Sequence, residues 1–238
     1  MKRKTTKNIL LAACLPLLLS SVACASTGAH TGLPTTPEQQ AALTPDAVLA
    51  QLKAGNKAFV AGEYNLPDLS ASVEAANAGQ FPKAYILSCV DSRVPVELVF
   101  NQGIGDIFVG RVAGNAENED QLGSMEFASA VAGVKLIVVL GHEACGAVMG
   151  ACDGVELGNL TMLLEKLAPA VRAVEGHEGA RNSKNAEFVD KVVHMNVEKT
   201  VADIRARSEV LRGLEEEGKI KIVGAYYSLK DGSVSFKM

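Results

Sequence analysis

Short apolar runs separated by longer amphipathic stretches set the pattern of this chain. Four of the runs are bounded by turn signals and predict buried strands: residues 84–90, 106–110, 134–140 and 220–227. Lys230-Asp-Gly232 then predicts a hairpin turn, so residues 233–237 return as an antiparallel edge strand. Helical spacing of apolar residues predicts helices over 44–61, 70–78, 94–100, 124–131, 157–174 and 185–217, the last of them broken or bent.

Strands that alternate with helices are typical of an α/β fold. We therefore predict a mostly parallel four-stranded sheet with an antiparallel edge strand, flanked by helices, in one domain over residues 44–238. Ligands of such sheets gather outside the carboxyl ends of the strands. Residues that follow the first and third strands are therefore the first candidates for a functional site.

The start of the chain reads as a targeting segment. A positively charged beginning, an apolar run over residues 9–19 and small residues around Ala25 form the three-part pattern of a secretory signal peptide over residues 1–25. We expect an exported, periplasmic protein. Lipid attachment at Cys24 is the alternative, because the residues before it form an imperfect lipid-attachment box. Residues 26–43 are rich in Ser, Thr, Gly, Pro and Gln and predict a flexible linker.

Charge and cysteine count narrow the function classes. The formal net charge is −4, and it becomes −8 without residues 1–25, which carry four basic and no acidic residues. An acidic chain without a basic stripe is a poor candidate for binding nucleic acid or an anionic membrane. Three cysteines remain beyond residue 25, an odd number for an exported protein that pairs its cysteines. Cys152 fits a small buried apolar residue.

The other two cysteines stand where the sheet should place function. Cys89 follows the first predicted strand, and His142 follows the third across one glycine, with Cys145 three residues later. This spacing predicts that His142 and Cys145 lie on one face of a helical turn. Two thiolates and one imidazole suit zinc, and three protein ligands leave a fourth position open for water. We predict one catalytic Zn²⁺ per subunit at these three residues.

Asp91 and Arg93 stand beside the first thiolate. A carboxylate so close to zinc could become a fourth ligand and close the site. The guanidinium fork of Arg93 can hold the carboxylate away from the metal. Asp91 could then accept the proton of a zinc-bound hydroxide and orient its lone pair. An ion pair that steadies the loop is the alternative.

Cys89-x-Asp91-x-Arg93, followed by Gly-His142-x-x-Cys145-Gly, resembles the paired motif of the β-class carbonic anhydrases. The similarity extends from about residue 44 to residue 236. It implies reversible hydration of carbon dioxide to bicarbonate and a proton, with zinc on the three ligands and the Asp91–Arg93 pair as the catalytic dyad. It also implies that homodimers are the building unit of a dimer or tetramer, with the pocket at their interface.

The resemblance further implies a set of substrate-binding positions. Gln80 matches a glutamine that reaches a neighbouring subunit's pocket, and Gly146 matches a backbone donor beside the metal. Val94, Phe108 and Phe127 match apolar positions of the pocket wall. For the two phenylalanines, plain core packing is the alternative.

A regulatory form of the family is not expected here. Members with a bicarbonate-dependent inactive state typically carry Trp three residues before the first Cys, where this chain has Ile86, and the chain contains no Trp. Arg111 matches an arginine of that regulatory site. We expect a permanently open metal site and an activity that rises above neutral pH, because two thiolates cancel the charge of the ion.

Two alternatives keep the motif and change the function. One is hydrolysis of carbon disulfide or carbonyl sulfide at the same zinc. The other is a zinc-binding module without turnover, which we would expect to lack Asp91 or Arg93. Dinucleotide binding is rejected, because Gly103, Gly105 and Gly110 do not fit the G-x-G-x-x-G spacing.

Overall fold

One mixed sheet forms the centre of the molecule. The computed structural model describes residues 33–63 and 68–236. Its strands are β1 (Ala84–Ser88), β2 (Ile107–Arg111), β3 (Leu136–His142), β4 (Lys221–Tyr227) and β5 (Val234–Ser235). The strand order is β2-β1-β3-β4-β5; the first four strands are parallel and β5 runs antiparallel to β4. The predicted fold class is thereby confirmed.

Helices flank this sheet. They are α1 (Pro37–Ala42), α2 (Pro45–Val60), α3 (Leu69–Ala76), α4 (Val96–Val99), α5 (Glu119–Glu126), α6 (Gly146–Asp153), α7 (Gly158–Ala173), α8 (Ala186–Arg207) and α9 (Glu209–Glu216). A 3-10 turn over Ala113–Asn115 follows β2, and a π-helical turn over Phe127–Val131 continues α5. The helix predicted from residue 124 begins at Glu119 instead, because the Asn118 side chain accepts the Gln121 N–H and caps it.

The predicted break in the long C-terminal helix is confirmed at Ser208. This residue ends α8, where its N–H still donates to the Ile204 carbonyl. Its hydroxyl then accepts the Leu211 N–H and caps α9. One serine therefore ends one helix and begins the next, as expected of a residue that favours caps over helix interiors.

Alternating strand residues divide the core between the two faces of the sheet. On β1, Tyr85 and Leu87 pack towards α5, α8 and α9, whereas Ala84 and Ile86 pack in the cluster that contains residues of α2 and α4. A third cluster contains Cys89 and Cys145 together with residues of α6, α7 and α8. This cluster lies beyond the carboxyl ends of the strands, where parallel sheets place their sites.

The predicted linker is wrong over residues 33–43, which pack on the domain. Thr36 and Gln39 form a reciprocal capping box at the start of α1. The buried Gln40 amide donates to the carbonyls of Pro82, at 2.6 Å, and Ala132, at 2.8 Å. The composition of this segment indicated a linker, but the Thr-x-x-Gln cap was the stronger signal.

The remaining predictions about the start of the chain are not addressed by the structure. The predicted signal peptide over residues 1–25 and the linker segment 26–32 lie outside the described residues. In the part of the chain that the structure describes, no helix has the length and apolar character to cross a bilayer.

Candidate metal centre

Cys89 is fixed at the first residue beyond β1. Its side chain is buried, and its Sγ accepts the Gly114 N–H at 3.3 Å. Gly114 has φ 69°, and a Cβ there would lie 2.6 Å from a Leu167 methyl carbon. At this φ any other residue would bring its Cβ into collision with Leu167, so only glycine can present its backbone N–H to the sulfur here.

His142 and Cys145 come from a strand end and a helix start, not from one helical turn. His142 is the last residue of β3, and Cys145 is the N-cap of α6. Ala144 between them has φ 49°, in the left-handed region that a non-glycine residue seldom adopts. The predicted shared helical turn is therefore wrong, although the sharp bend still brings the two side chains together.

Three donor atoms converge at this point. The two Sγ atoms and a His142 ring nitrogen all lie within 4.8 Å of one another, and the Sγ atoms of Cys89 and Cys145 are 4.0 Å apart. Two sulfurs on one tetrahedral zinc, at ~2.3 Å each, are separated by about 3.8 Å. Neither cysteine is in a disulfide. The spacing therefore fits one zinc ion.

The histidine is oriented for the same ion. Its Nδ1 donates to the Glu143 carbonyl at 2.9 Å, which leaves Nε2 as the acceptor nitrogen. Nε2 is buried and has no hydrogen-bond partner. A backbone carbonyl that fixes the other ring nitrogen is the usual arrangement around metal-binding histidines. A role as metal ligand therefore explains why the Nε2 of His142 is buried without a hydrogen-bond partner.

The two thiols share their protonation unequally. The hydrogen bond with Cys145 lowers the pKa of Cys89 to about 4, helped by the hydrogen bond from the Gly114 N–H. The same bond, together with burial, raises the pKa of Cys145. The thiolate is the form that binds a metal. Cys89 is thus held as a ready ligand.

Asp91 lies beside the donors but is held by Arg93. The Arg93 Nε donates to Oδ1 at 2.9 Å and Nη2 donates to Oδ2 at 2.7 Å, while the Arg93 backbone N–H also reaches Oδ1. These bonds, above all the one from the guanidinium, hold the pKa of Asp91 at about 2. Oδ2 is 3.8 Å from the His142 Nε2. The carboxylate therefore stays ionised at the edge of the centre.

Arg111 has a role that the sequence did not reveal. Its Nε donates to the Cys89 carbonyl at 2.9 Å and its Nη2 to the Asp91 carbonyl at 2.6 Å. Arg111 ends β2 and lies opposite Ser88 of β1. Two backbone carbonyls of the segment that carries the ligand and the dyad are therefore tied to the edge strand. Only the strand register discloses this contact.

Two of the predicted substrate-binding residues, Gly146 and Val94, lie near the carboxyl end of β1 or the start of α6. Gly146 is exposed at the first position of α6, beside Cys145, so its N–H lies at a helix start. Val94 is fully buried, in the core cluster that contains Ile86 and Phe100, and its place on the pocket wall stays a prediction.

Gln80, Phe108 and Phe127 lie away from this chain's own donors. Phe108 pairs with Tyr85, four residues before Cys89, or about 13 Å along the strand. The rings of Phe108 and Phe127 are 6.3 Å apart and border a shallow pocket with Tyr85. Gln80 is exposed before β1, at the opposite end of the sheet from Cys89.

Known proteins share this sequence pattern. The carbonic anhydrase family model matches residues 84–234. Carbonic anhydrase 2 of Mycobacterium tuberculosis is 41% identical over 194 residues, which cover 79% of this chain and 90% of that protein. The carbonic anhydrase of Mycolicibacterium smegmatis is 35% identical over 199 residues, covering 81% and 93%.

Solved structures share the fold. The β-carbonic anhydrase of Coccomyxa in complex with acetazolamide has a TM-score of 0.62 at 24% identity, covering 82% of this chain and 86% of that one. The β-carbonic anhydrase CafA of Aspergillus fumigatus has a TM-score of 0.59 at 25% identity, covering 81% and 89%. The chain therefore belongs to the carbonic anhydrase family, as a member of its zinc-dependent β class.

Proposed function

We propose that this chain catalyses the reversible hydration of carbon dioxide to bicarbonate and a proton, with one zinc ion held by Cys89, His142 and Cys145. The observation that carries the proposal is the convergence of two sulfurs and one buried, unpartnered nitrogen. They lie beside a carboxylate, that of Asp91, which is already hydrogen-bonded to Arg93. Bound zinc supplies a water acidic enough to lose its proton near neutral pH. The chain's own residues do the rest.

Arg93 keeps Asp91 from filling the fourth metal position. Both carboxylate oxygens accept hydrogen bonds from Arg93, and only Oδ2 keeps a lone pair free on the side of His142. Asp91 accepts a hydrogen bond from the attacking water there and orients it. The Arg93 side chain is 53% exposed and that of Asp91 15%, so the pair lies between the buried donor atoms and the surface of the chain. A bare zinc-binding module has no need of this dyad.

The pocket is completed by a second copy of the chain. Gln80 lies at the amino end of β1, whereas Cys89 follows its carboxyl end, so Gln80 can reach only the metal centre of another subunit. Phe127 and Val131 are 50% and 74% exposed and extend an apolar surface from Phe108. Two β-carbonic anhydrases of Sordaria macrospora are described as tetrameric. We infer a homodimer or tetramer, which light scattering after size-exclusion chromatography tests; a monomer contradicts it.

The proposed cellular location of the protein depends on the sequence pattern of residues 1–25 alone. We propose export to the periplasm, with removal of the signal peptide after Ala25 or lipid attachment at Cys24. Mass spectrometry of the protein purified from its native host measures the mature amino terminus. A mature chain that begins at Ser26 supports soluble export, a lipid-modified Cys24 supports an anchor, and an intact Met1 contradicts both.

Zinc removal tests the proposed reaction. The purified chain is stripped with dipicolinate, and carbon dioxide hydration is followed by stopped flow before stripping, after stripping and after zinc is restored. We expect hydration to disappear and return with the metal content. Carbon disulfide and carbonyl sulfide are offered in parallel. Turnover of these but not of carbon dioxide would replace the proposal, and hydration independent of zinc would end it.

A further inference from the structure

A buried hydrogen-bond chain connects helix α8 to the candidate metal centre. The Asn196 side chain donates from Nδ2 to the Gly114 carbonyl at 2.8 Å. Gly114 in turn donates its N–H to the Cys89 Sγ at 3.3 Å. Asn196 is 3% exposed and Cys89 is 4% exposed, so both ends of this chain are shielded from water. A buried amide needs such a partner, and this one leads to a metal ligand.

The packing of α8 fixes the position of Asn196. The helix passes so close to the end of β3 that a Cβ on Gly141 would lie 2.5 Å from a Val197 methyl carbon and 3.2 Å from one of Val193. Both valines are buried on α8 and flank Asn196 in the sequence. Because well-packed neighbours prevent the helix from shifting, the amide has a fixed place from which to donate.

The conformation of Gly114 depends on contacts from other parts of the chain. It occupies the left-handed region at φ 69° within the 3-10 turn, where glycine has more conformational freedom than any other residue. Leu167 and Ala147 confine it sterically. This steric confinement alone does not fix the direction of the Gly114 N–H towards the Cys89 sulfur. The bond from Asn196 to its carbonyl restricts the ψ rotation of Gly114 and so the turn that presents the N–H.

We propose that Asn196 is a positioning residue of the metal centre, which holds Gly114 so that its N–H donates to the Cys89 thiolate. The inference rests on the proposed function, since it assigns zinc to Cys89. A hydrogen bond to a ligand sulfur stabilises the thiolate electrons, which raises the energy of charge transfer to a metal, and it holds the ligand in the orientation that the metal needs. Loss of that bond should change both the electronic spectrum of the site and its hold on the metal.

Cobalt substitution reports on the sulfur directly. The chain is loaded with Co²⁺, and the sulfur-to-cobalt charge-transfer band in the near ultraviolet is recorded for the wild type and Asn196→Leu, which removes the amide at similar volume. We expect the band to move to longer wavelength in the variant. We also expect about tenfold faster loss of zinc to EDTA, the low end of effects seen around metal ligands.

The matched control is Thr200→Val, which removes another buried polar group from α8, one turn further along. It should leave the band and the zinc loss unchanged. If Asn196→Leu does not fold, Asn196→Ser is measured in its place and should shift the band in the same direction. A band at the wild-type position in either Asn196 variant overturns the inference and leaves the proposed function standing. A wild type without a thiolate band overturns both.

Discussion

Arg93 binds both carboxylate oxygens of Asp91, with Nε 2.9 Å from Oδ1 and Nη2 2.7 Å from Oδ2. The two residues are separated by one position, so the pair depends little on the rest of the fold. What the fold adds is the neighbour: Oδ2 lies 3.8 Å from the His142 Nε2. In the proposed reaction, the pair decides whether the Asp91 carboxylate is available to the metal or to a water molecule.

Removal of the guanidinium should abolish activity without loss of zinc. In Arg93→Leu the carboxylate is free to turn to the metal and occupy the position that water needs. We expect carbon dioxide hydration to fall about a hundredfold or more, with one zinc per chain retained. Stopped-flow rates and atomic absorption measure the two quantities. Arg172→Leu, at an exposed arginine of α7, is the control; an Arg93→Leu enzyme of normal rate contradicts the role of the dyad.

Arg111 should matter through the backbone that it holds. Arg111→Leu removes the bonds to the carbonyls of Cys89 and Asp91 and loosens the segment between them. We expect hydration to fall about tenfold, in line with the effect of groups around metal ligands. Arg111→Lys, which keeps the charge but not the fork, should restore only part of the rate. A full rate in Arg111→Leu would show that the segment needs no such tie.

The packing around Gly114 predicts a stability difference between two glycines in the same backbone region. Gly114→Ala adds a Cβ at φ 69° against Leu167, and should cost about 2–4 kcal/mol of unfolding free energy. Gly154→Ala, at φ 64° in open space after α6, should cost only about 1 kcal/mol. Urea unfolding measures both. Equal losses would mean that the contact with Leu167 relaxes freely.

Cys152 should react slowly with alkylating reagents. Burial, with the charge of Asp153, raises the pKa of its thiol to about 11. The thiol is the form without reactivity, so at pH 8 the rate should be roughly a hundredfold below that of a free cysteine, and should keep rising beyond pH 10. Iodoacetamide labelling of the zinc-loaded protein, followed by mass spectrometry with glutathione as reference, measures it. A rate that levels off near pH 9 contradicts the shift.

Much of the fold could be predicted because its strands are short apolar runs with clear ends. The strand order could not, since periodicity along β2 does not say that Arg111 ends opposite Ser88. Helix α1 was missed because composition outweighed its Thr36 cap, and α6 was missed because its glycines and small residues resemble a loop. Composition and capping residues can favour different local structures in one segment, and tertiary packing determines which of them forms.

The candidate site divides in the same way. Cys89, His142 and Cys145 could be proposed from their places at predicted strand ends, and the structure brings their donor atoms together. Asn196 and Gly114 could not, because their contact joins positions 82 residues apart. Val94 is fully buried in the core, and its predicted place on the pocket wall rests on resemblance alone. Contacts between distant segments are what a single sequence conceals.

The most direct measurement compares two identical substitutions at the two ends of helix α6. Cys145→Ser removes a proposed zinc ligand at its start, and Cys152→Ser alters a cysteine near its end. Zinc per chain and the rate of carbon dioxide hydration are measured for both and for the wild type. We predict that Cys145→Ser loses zinc and activity together, while Cys152→Ser keeps both. A Cys145→Ser protein that hydrates carbon dioxide at the wild-type rate without zinc would contradict the account.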